Sequence, residues 1–401
     1  MTCRICGSEK LYQFLSLGTM PIPNGFLSNP HEKEVWYPLG VCVCQDCWLV
    51  QLTHIIPPGI MFKNYLYIPS TSSTMTQHFK SLAEDAIMRF NLTSKDLVVD
   101  IGSNDGTLLG YFKEHEVKIL GIDPATNLVT IANLKGIETK DAYFTREYAI
   151  KVREEKGRAK VITATNVLAH VNDLDDLCEG VKELLDKDGV FICECPYLID
   201  LLDRNEFDTI YHEHLSYFSL YPLIRLFKKH GMTIFDIQKL SVHGGSVRVY
   251  VKFKAQQSKR LTEFLGMEKI RKLDKLSTYE EFGRRVKVIK RDLNNYLKRL
   301  KLQDKKIVGY GASAKGNVLL NYCKIDTKLL DYIVDSISYK QGKFTPGTHI
   351  PIYPERRLLK DQPDYVLLLA WNFADEILKK QIKYRERGGQ FIITIPYLRT
   401  E

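Results

Sequence analysis

The stretch Asp96–Phe112, DLVVDIGSNDGTLLGYF, decides the fold. Its first half is an apolar run of strand length. Gly102 and Gly106 then frame a tight turn, and helical spacing of apolar residues begins at about Thr107. A second strand, VKILGIDPA (Val117–Ala125), ends in an acid, Asp123. It falls about 20 residues past the glycines, where an acid at the end of a second parallel strand can accept both ribose hydroxyls of a nucleoside. KVITATNVLAHV (Lys160–Val171) and DGVFICECPYL (Asp188–Leu198) read as further strands. GMTIFDIQKL (Gly231–Leu240) with SVRVYVKFK (Ser246–Lys254) reads as a closing antiparallel hairpin. Strands alternating with helices imply an α/β sheet with helices on both faces.

The chain of 401 residues is too long for one core, and its 44% apolar and 26% charged residues can bury several. The expected division is 1–71, 72–285 and 286–401. No apolar run reaches the roughly 20 residues of a membrane helix. MTCRICGSEK at the start has neither a basic nor an apolar signal region, so a soluble, cytoplasmic protein without a membrane partner is expected. The net charge of +9 gathers between Lys252 and Lys306. There Val286, Ile289, Leu293, Tyr296 and Leu300 recur at helical spacing, which predicts a long amphipathic helix with a solvated basic face.

Nine cysteines in a reducing compartment argue for ligands and core fillers rather than disulfides. CRIC (Cys3, Cys6) and CQDC (Cys44, Cys47) lie about 40 residues apart and can supply a closed tetrahedral zinc shell, structural rather than catalytic. Cys42 is the spare. Pro21, Pro23, Gly25 and Pro30 between the pairs suit a loop-rich module that needs such a staple.

The third segment opens with KIVGYGASAKGNVLLNY (Lys306–Tyr322). Gly309, Gly311 and Ala314 satisfy the dinucleotide fingerprint, with Asp335 about 24 residues on. A phosphate-cradling turn is the preferred reading, with Lys315 and Asn317 in reach of an anion.

The turn DIGSNDGTLL resembles the first motif of adenosylmethionine-dependent methyltransferases, Asp-x-Gly-x-x-x-Gly, more closely than the dinucleotide fingerprint. The order of motifs, two CxxC pairs, this core, YHEH (Tyr211–His214), HGGS (His243–Ser246) and GYGASAKGN, resembles the sugar C-methyltransferases over nearly the whole chain. That resemblance implies a class I, Rossmann-like methyltransferase core between an N-terminal zinc-binding module and a second, C-terminal Rossmann-like α/β domain. It implies adenosylmethionine and structural zinc as cofactors. The implied substrate is a nucleoside-diphosphate 4-keto-6-deoxysugar, dTDP-linked for preference, methylated at C3. For adenosylmethionine it marks Asp100, Gly102, Ser103, Asn104, Asp105, Gly106, Asp123 and Asn166. For catalysis it marks His214 as the C3 base, Glu213 orienting its ring, Tyr211, and His170 with Tyr67 polarising the ketone. For the substrate it marks His243, Gly244, Lys315 and Asn317.

Such chemistry needs a base and a stabilised enolate and no metal. Two histidines and a glutamate on neighbouring residues cannot converge on one ion if the segment is extended, so His212 is expected to be a bystander. A nucleic-acid methyltransferase is the first rival, but ECPYL has one proline and follows the fifth strand, not the fourth. A non-catalytic scaffold is the second; it would have no need of the glycine turn, Asp123 and the acid–base run together. A monomer without nucleic-acid partners is expected.

Overall fold

The structure, a computed structural model, describes residues 1–61 and 69–401. Three sheets organise them. The first holds β1 (Leu11–Met20), β2 (Tyr37–Cys44) and β3 (Val50–Leu52) in antiparallel order. Its fourth strand comes from far along the chain: β9 (Ser216–Tyr217) pairs with β3 through Val50 opposite Tyr217 and Gln51 opposite Ser216. The N-terminal module is therefore completed by the residues that directly follow the YHEH run.

The second sheet contains β4 (Leu97–Ile101), β5 (Lys118–Asp123), β6 (Thr139–Asp141), β7 (Ala159–Thr165), β8 (Leu185–Pro196), β10 (Thr233–Leu240) and β11 (Ser246–Lys252). Its order is β6-β5-β4-β7-β8-β11-β10, with β11 antiparallel to both neighbours as the hairpin pattern predicts. β4 is buried along its whole length. Alternate residues feed two cores: Val98, Val161 and Ile192 pack with Phe112 and Leu109 on one face, while Val99, Ile162 and Phe191 join the core on the other.

The helix Ser73–Phe90, capped by Ser72 and ended by left-handed Asn91, crosses one face. Polar pairs pin it to the sheet: His78 to Glu194 (2.7 Å), Asp85 to the Tyr250 hydroxyl (2.9 Å) and Arg89 to Asp236 (2.5 Å). Beneath it Arg248 Nε donates to Glu194 at 2.6 Å, both side chains buried.

The predicted amphipathic helix exists as Leu276–Leu302, so residue 286 lies within it. Val286, Ile289, Leu293, Leu297 and Leu300 are its buried face. The third sheet follows, with β12 (Ile307–Tyr310), β13 (Ile333–Asp335), β14 (Ile352–Pro354), β15 (Tyr365–Leu368), β16 (Gln390–Ile393) and β17 (Arg399–Thr400) in the order β14-β13-β12-β15-β16-β17. All pairs are parallel except the last, a second Rossmann-like sheet.

The buried Glu194–Arg248 pair yields a prediction. Burial pushes the Glu194 carboxyl up, but the His78 hydrogen bond and the Arg248 charge outweigh it and hold the group below its usual range. Arg248→Met should cost about 3–5 kcal/mol at neutral pH, because it leaves a buried carboxylate short of a partner. A depressed carboxyl contributes stability above its unfolded value of about 4.3, lost as pH falls through the lower folded value. Urea midpoints of wild type and variant should therefore converge as the pH is taken down toward about 3.

Candidate active site

β4 and β7 are neighbours whose following chains leave in opposite directions, so a crevice opens at their carboxyl ends. Asp100 on β4 is buried there, accepts from the Thr163 hydroxyl at 2.6 Å, and is pushed up by burial to about 7. Gly102 has φ of 68°, and a Cβ on it would lie 2.5 Å from Val167 Cγ2, so the turn has no room for a side chain. Asn104, also left-handed, donates its backbone N–H to Asp123 at 2.9 Å, and Ala125 N–H donates to the other Asp123 oxygen at 2.8 Å. Burial raises the Asp123 carboxyl. Each of its oxygens keeps a lone pair for a further donor.

Ser103 Oγ and Asn166 Oδ1 are buried without a hydrogen-bond partner among the described residues. A ligand carrying hydroxyl and amino groups into this crevice would satisfy both them and Asp123, so the residues present fit adenosylmethionine. Asp105 does not share in this. Its carboxylate accepts from Thr107 (2.6 Å) and Lys135 (2.8 Å), so it builds the turn instead of facing a cofactor as expected. Gly106 begins the helix Thr107–Glu114 with φ of 76° and lies against Ile137.

The YHEH run forms a tight turn, with His214 N–H bonded to Tyr211 O. His214 Nδ1 lies 3.0 Å from the Thr209 carbonyl, which can only accept, so Nδ1 carries the proton. In the neutral imidazole Nε2 is then a lone pair that accepts from the Tyr211 hydroxyl 3.0 Å away. The ring is thus oriented by Thr209, not by Glu213 as expected. Glu213 Oε1 instead accepts from Asn24 Nδ2 at 2.6 Å, a residue of the N-terminal module.

His170, on the turn after β7, stands edge-on to His214 with ring centroids 5.0 Å apart. Burial pulls it down to about 4, so it is neutral near pH 7. His212 turns the other way, fully buried with its ring 6.0 Å from that of Tyr37. Tyr67, like Tyr65 and the side chain of His243, lies outside the described residues.

A buried acidic wall beside this run escapes sequence reasoning. Burial raises Glu206 to about 8 and Asp208 to about 6, with the Lys315 charge opposing both. Trp371 Nε1 donates to Asp208 at 2.7 Å, and Lys315 Nζ lies 4.7 Å from the Trp371 ring centroid. The HGGS glycines pack on this wall: a Cβ on Gly244 would lie 2.7 Å from Glu206 Oε1, and one on Gly245 2.4 Å from Asp200 Cγ. The paired glycines were the signal for a close approach, though not of what approaches. Asn317 is fully buried; its Nδ2 donates to the Pro23 carbonyl at 2.6 Å, tying it to the N-terminal module, and its Oδ1 has no partner among the described residues.

The four cysteine sulfurs of the two CxxC turns lie within 4.8 Å of one another, with Cys3 to Cys47 at 3.4 Å and Cys6 to Cys44 at 3.5 Å. A tetrahedron of Zn–S bonds of about 2.3 Å has edges of about 3.8 Å, which this cluster fits. Cys42 stands aside, its thiol directed at the Gln51 carbonyl.

A Rossmann-like sheet closed by an antiparallel hairpin, with an acid at the end of its second strand and a four-thiol zinc centre attached, defines a class I adenosylmethionine-dependent methyltransferase with a zinc-binding module. Family models agree along the chain: a zinc binding domain over residues 3–62, a methyltransferase domain over 75–236 and a C-methyltransferase C-terminal domain over 241–396. The chain is 37% identical over 399 residues to the C-methyltransferase NovU of Streptomyces niveus, covering 98% of this chain and 95% of that one. It belongs to this C-methyltransferase family.

Solved structures that overlay on part of it include the PH0226 protein of Pyrococcus horikoshii OT3 (14% identity, 47% of this chain and 95% of that one, TM-score 0.38). Another is magnesium protoporphyrin IX methyltransferase of Synechocystis PCC 6803 with bound SAM (14% identity, 44% and 79%, TM-score 0.34). Among the described residues no helix is long and apolar enough to cross a membrane.

The cluster predicts one zinc ion per chain in freshly purified protein, measured by elemental analysis, and its loss in Cys44→Ser. Because β9 belongs to the zinc module's sheet, that loss should also loosen residues 211–217, seen as faster amide exchange there.

Proposed function

We propose that this enzyme transfers the methyl group of adenosylmethionine to C3 of a nucleoside-diphosphate-linked 4-keto-6-deoxysugar, with dTDP as the favoured carrier. The observation that carries the proposal is His214, its Nδ1 fixed on a carbonyl and its Nε2 turned to Tyr211 beside the His170 ring. A histidine held that way, in its neutral form, suits removal of a proton from carbon next to a ketone.

His214 Nε2 takes the C3 proton, and the electron pair left behind moves into an enolate whose negative charge sits on the C4 oxygen. Tyr211, already hydrogen-bonded to Nε2, keeps the lone pair aimed until substrate takes its place. His170, held neutral by burial, has a single N–H, which faces the Glu213 backbone oxygen and passes to the enolate oxygen when the sugar binds. Bound adenosylmethionine supplies the electrophilic methyl group on its sulfonium. In the cofactor crevice Asp123 accepts the ribose hydroxyls, Gly102 admits the ligand close to the backbone, and Asp100, Ser103, Asn104 and Asn166 line the remainder. Gly244 and Lys315, at the acidic wall, face the sugar nucleotide. The N-terminal module, the core and the C-terminal Rossmann-like domain each contribute a wall.

Two substitutions test separate parts. Asp123→Ala should weaken adenosylmethionine binding by about 1.5–3 kcal/mol, the worth of hydrogen bonds to a charged acceptor; unchanged affinity in calorimetry removes Asp123 from the site. His214→Asn should keep zinc and adenosylmethionine affinity while lowering turnover by about 10²–10⁴. Wild type should also exchange the C3 hydrogen of a nucleotide 4-ketosugar with deuterated water, and the variant should not. Normal methyl transfer by the variant would leave Tyr211 or His170 as the base.

A further inference from the structure

Arg4 lies inside the first zinc turn, between Cys3 and Cys6, yet its side chain works elsewhere. Nη1 donates to the Leu215 carbonyl at 2.8 Å, Nη2 to the Leu52 carbonyl at 3.4 Å, and Nε to Asn172 Oδ1 at 3.3 Å. Leu215 is the residue after His214, and Asn172 is two residues after His170. Leu52 ends β3, the strand on which β9 is laid. One planar guanidinium therefore holds the two segments that carry the paired histidines and the sheet edge between them.

Backbone hydrogen bonds tie the same segments together. Leu215 N–H donates to Ala169 O at 2.6 Å, next to His170, and Leu215 O accepts from Leu52 N–H at 2.9 Å as well as from Arg4. Arg4 is itself fixed at its backbone, where N–H donates to Gln51 Oε1 at 3.0 Å, and Gln51 Nε2 returns to the Thr2 carbonyl at 3.1 Å. The four-cysteine turn thus sets where the guanidinium starts, and the guanidinium sets where the histidines stand.

We propose that Arg4 is a positioning residue: it transmits the geometry of the zinc turn to the His170–His214 pair and fixes the spacing of their rings. The consequence for catalysis rests on His214 being the base, as read above; the positioning itself does not. A displacement of about 1 Å at a reacting group can cost on the order of 10² in rate, so a structural zinc site can govern turnover without touching substrate. Lysine offers a point charge without the fork, so it can keep one of the three contacts but not span them.

The test uses the full-length zinc-loaded protein and the variants Arg4→Met, Arg4→Lys and Asn172→Ala. Zinc content and adenosylmethionine affinity are measured first, and both should match wild type. Amide exchange over residues 211–217 and the imidazole NMR signals of His170 and His214, assigned by their loss in His170→Asn and His214→Asn, then report position without any sugar substrate. In Arg4→Met the Leu215 amide should lose about tenfold protection and both ring signals should move; Arg4→Lys should recover part of each. Asn172→Ala, which removes one arm, should move the His170 signal more than that of His214, and it serves alone if Arg4→Met does not fold.

With a nucleotide 4-ketosugar, kcat of Arg4→Met should fall about ten- to hundredfold with KM little changed. Unchanged protection and ring signals in zinc-loaded Arg4→Met would overturn the proposal. Altered ring signals in a protein whose wild type methylates no nucleotide 4-ketosugar would uphold it and overturn the assigned reaction instead.

Discussion

One residue's backbone joins the parts of this enzyme. The N–H of Leu215 is given to Ala169 and its carbonyl is shared by Leu52 and Arg4, so the zinc module, the turn after β7 and the YHEH run meet at a single residue. Buried backbone groups must find partners, and a residue whose N–H and C=O are both committed to other segments cannot move without stranding them. His214 precedes this residue and His170 follows its acceptor. The distance between the two rings is therefore a property of the junction, not of either local sequence.

This junction changes what a closed zinc shell means. Four thiolate ligands leave no open position for chemistry, and a module held together by metal is easily treated as an independent staple. Here its sheet is unfinished without Ser216 and Tyr217, and its Pro21–Leu27 stretch reaches both partners: Asn24 donates to Glu213, while the Pro23 carbonyl accepts from Asn317 of the third segment. Order in the four-cysteine module is consequently coupled to the YHEH turn.

Features legible in the sequence were those encoded within a few neighbouring residues. The glycine turn at Gly102, Asp123 at a strand end, the β10–β11 hairpin and the two CxxC pairs each carry their own geometry, and all appear where local reasoning puts them. What stayed hidden depends on pairs of residues remote in sequence. Arg4 with Leu215, Asn24 with Glu213, and Trp371 with Asp208 have no short-range pattern that announces them. The same cause hides part of what motif residues do: Asn317, Glu213 and Asp105 each have a side-chain partner whose position only the fold supplies. The expected division at residue 286 falls inside the helix Leu276–Leu302, whose hydrogen bonding runs through it uninterrupted.

The two Rossmann-like sheets show how one backbone device is put to different ends. Asp335 accepts from Ala312 N–H (2.7 Å) and Ile337 N–H (2.8 Å), the same relation that Asp123 has with Asn104 and Ala125. Beyond Asp123 lie Ser103 and Asn166, polar atoms that still need partners. Beyond Asp335 lies Lys340, whose ammonium donates to the Ala312 carbonyl at 2.7 Å and stands 3.7 Å from the Asp335 carboxylate, against the ring of Phe26 from the zinc module. A ribose needs an acceptor at that acid, and an ammonium 3.7 Å away competes for it. The dinucleotide fingerprint of the third segment is thus satisfied by its glycines, while its acid is paired with a lysine that a motif search does not include.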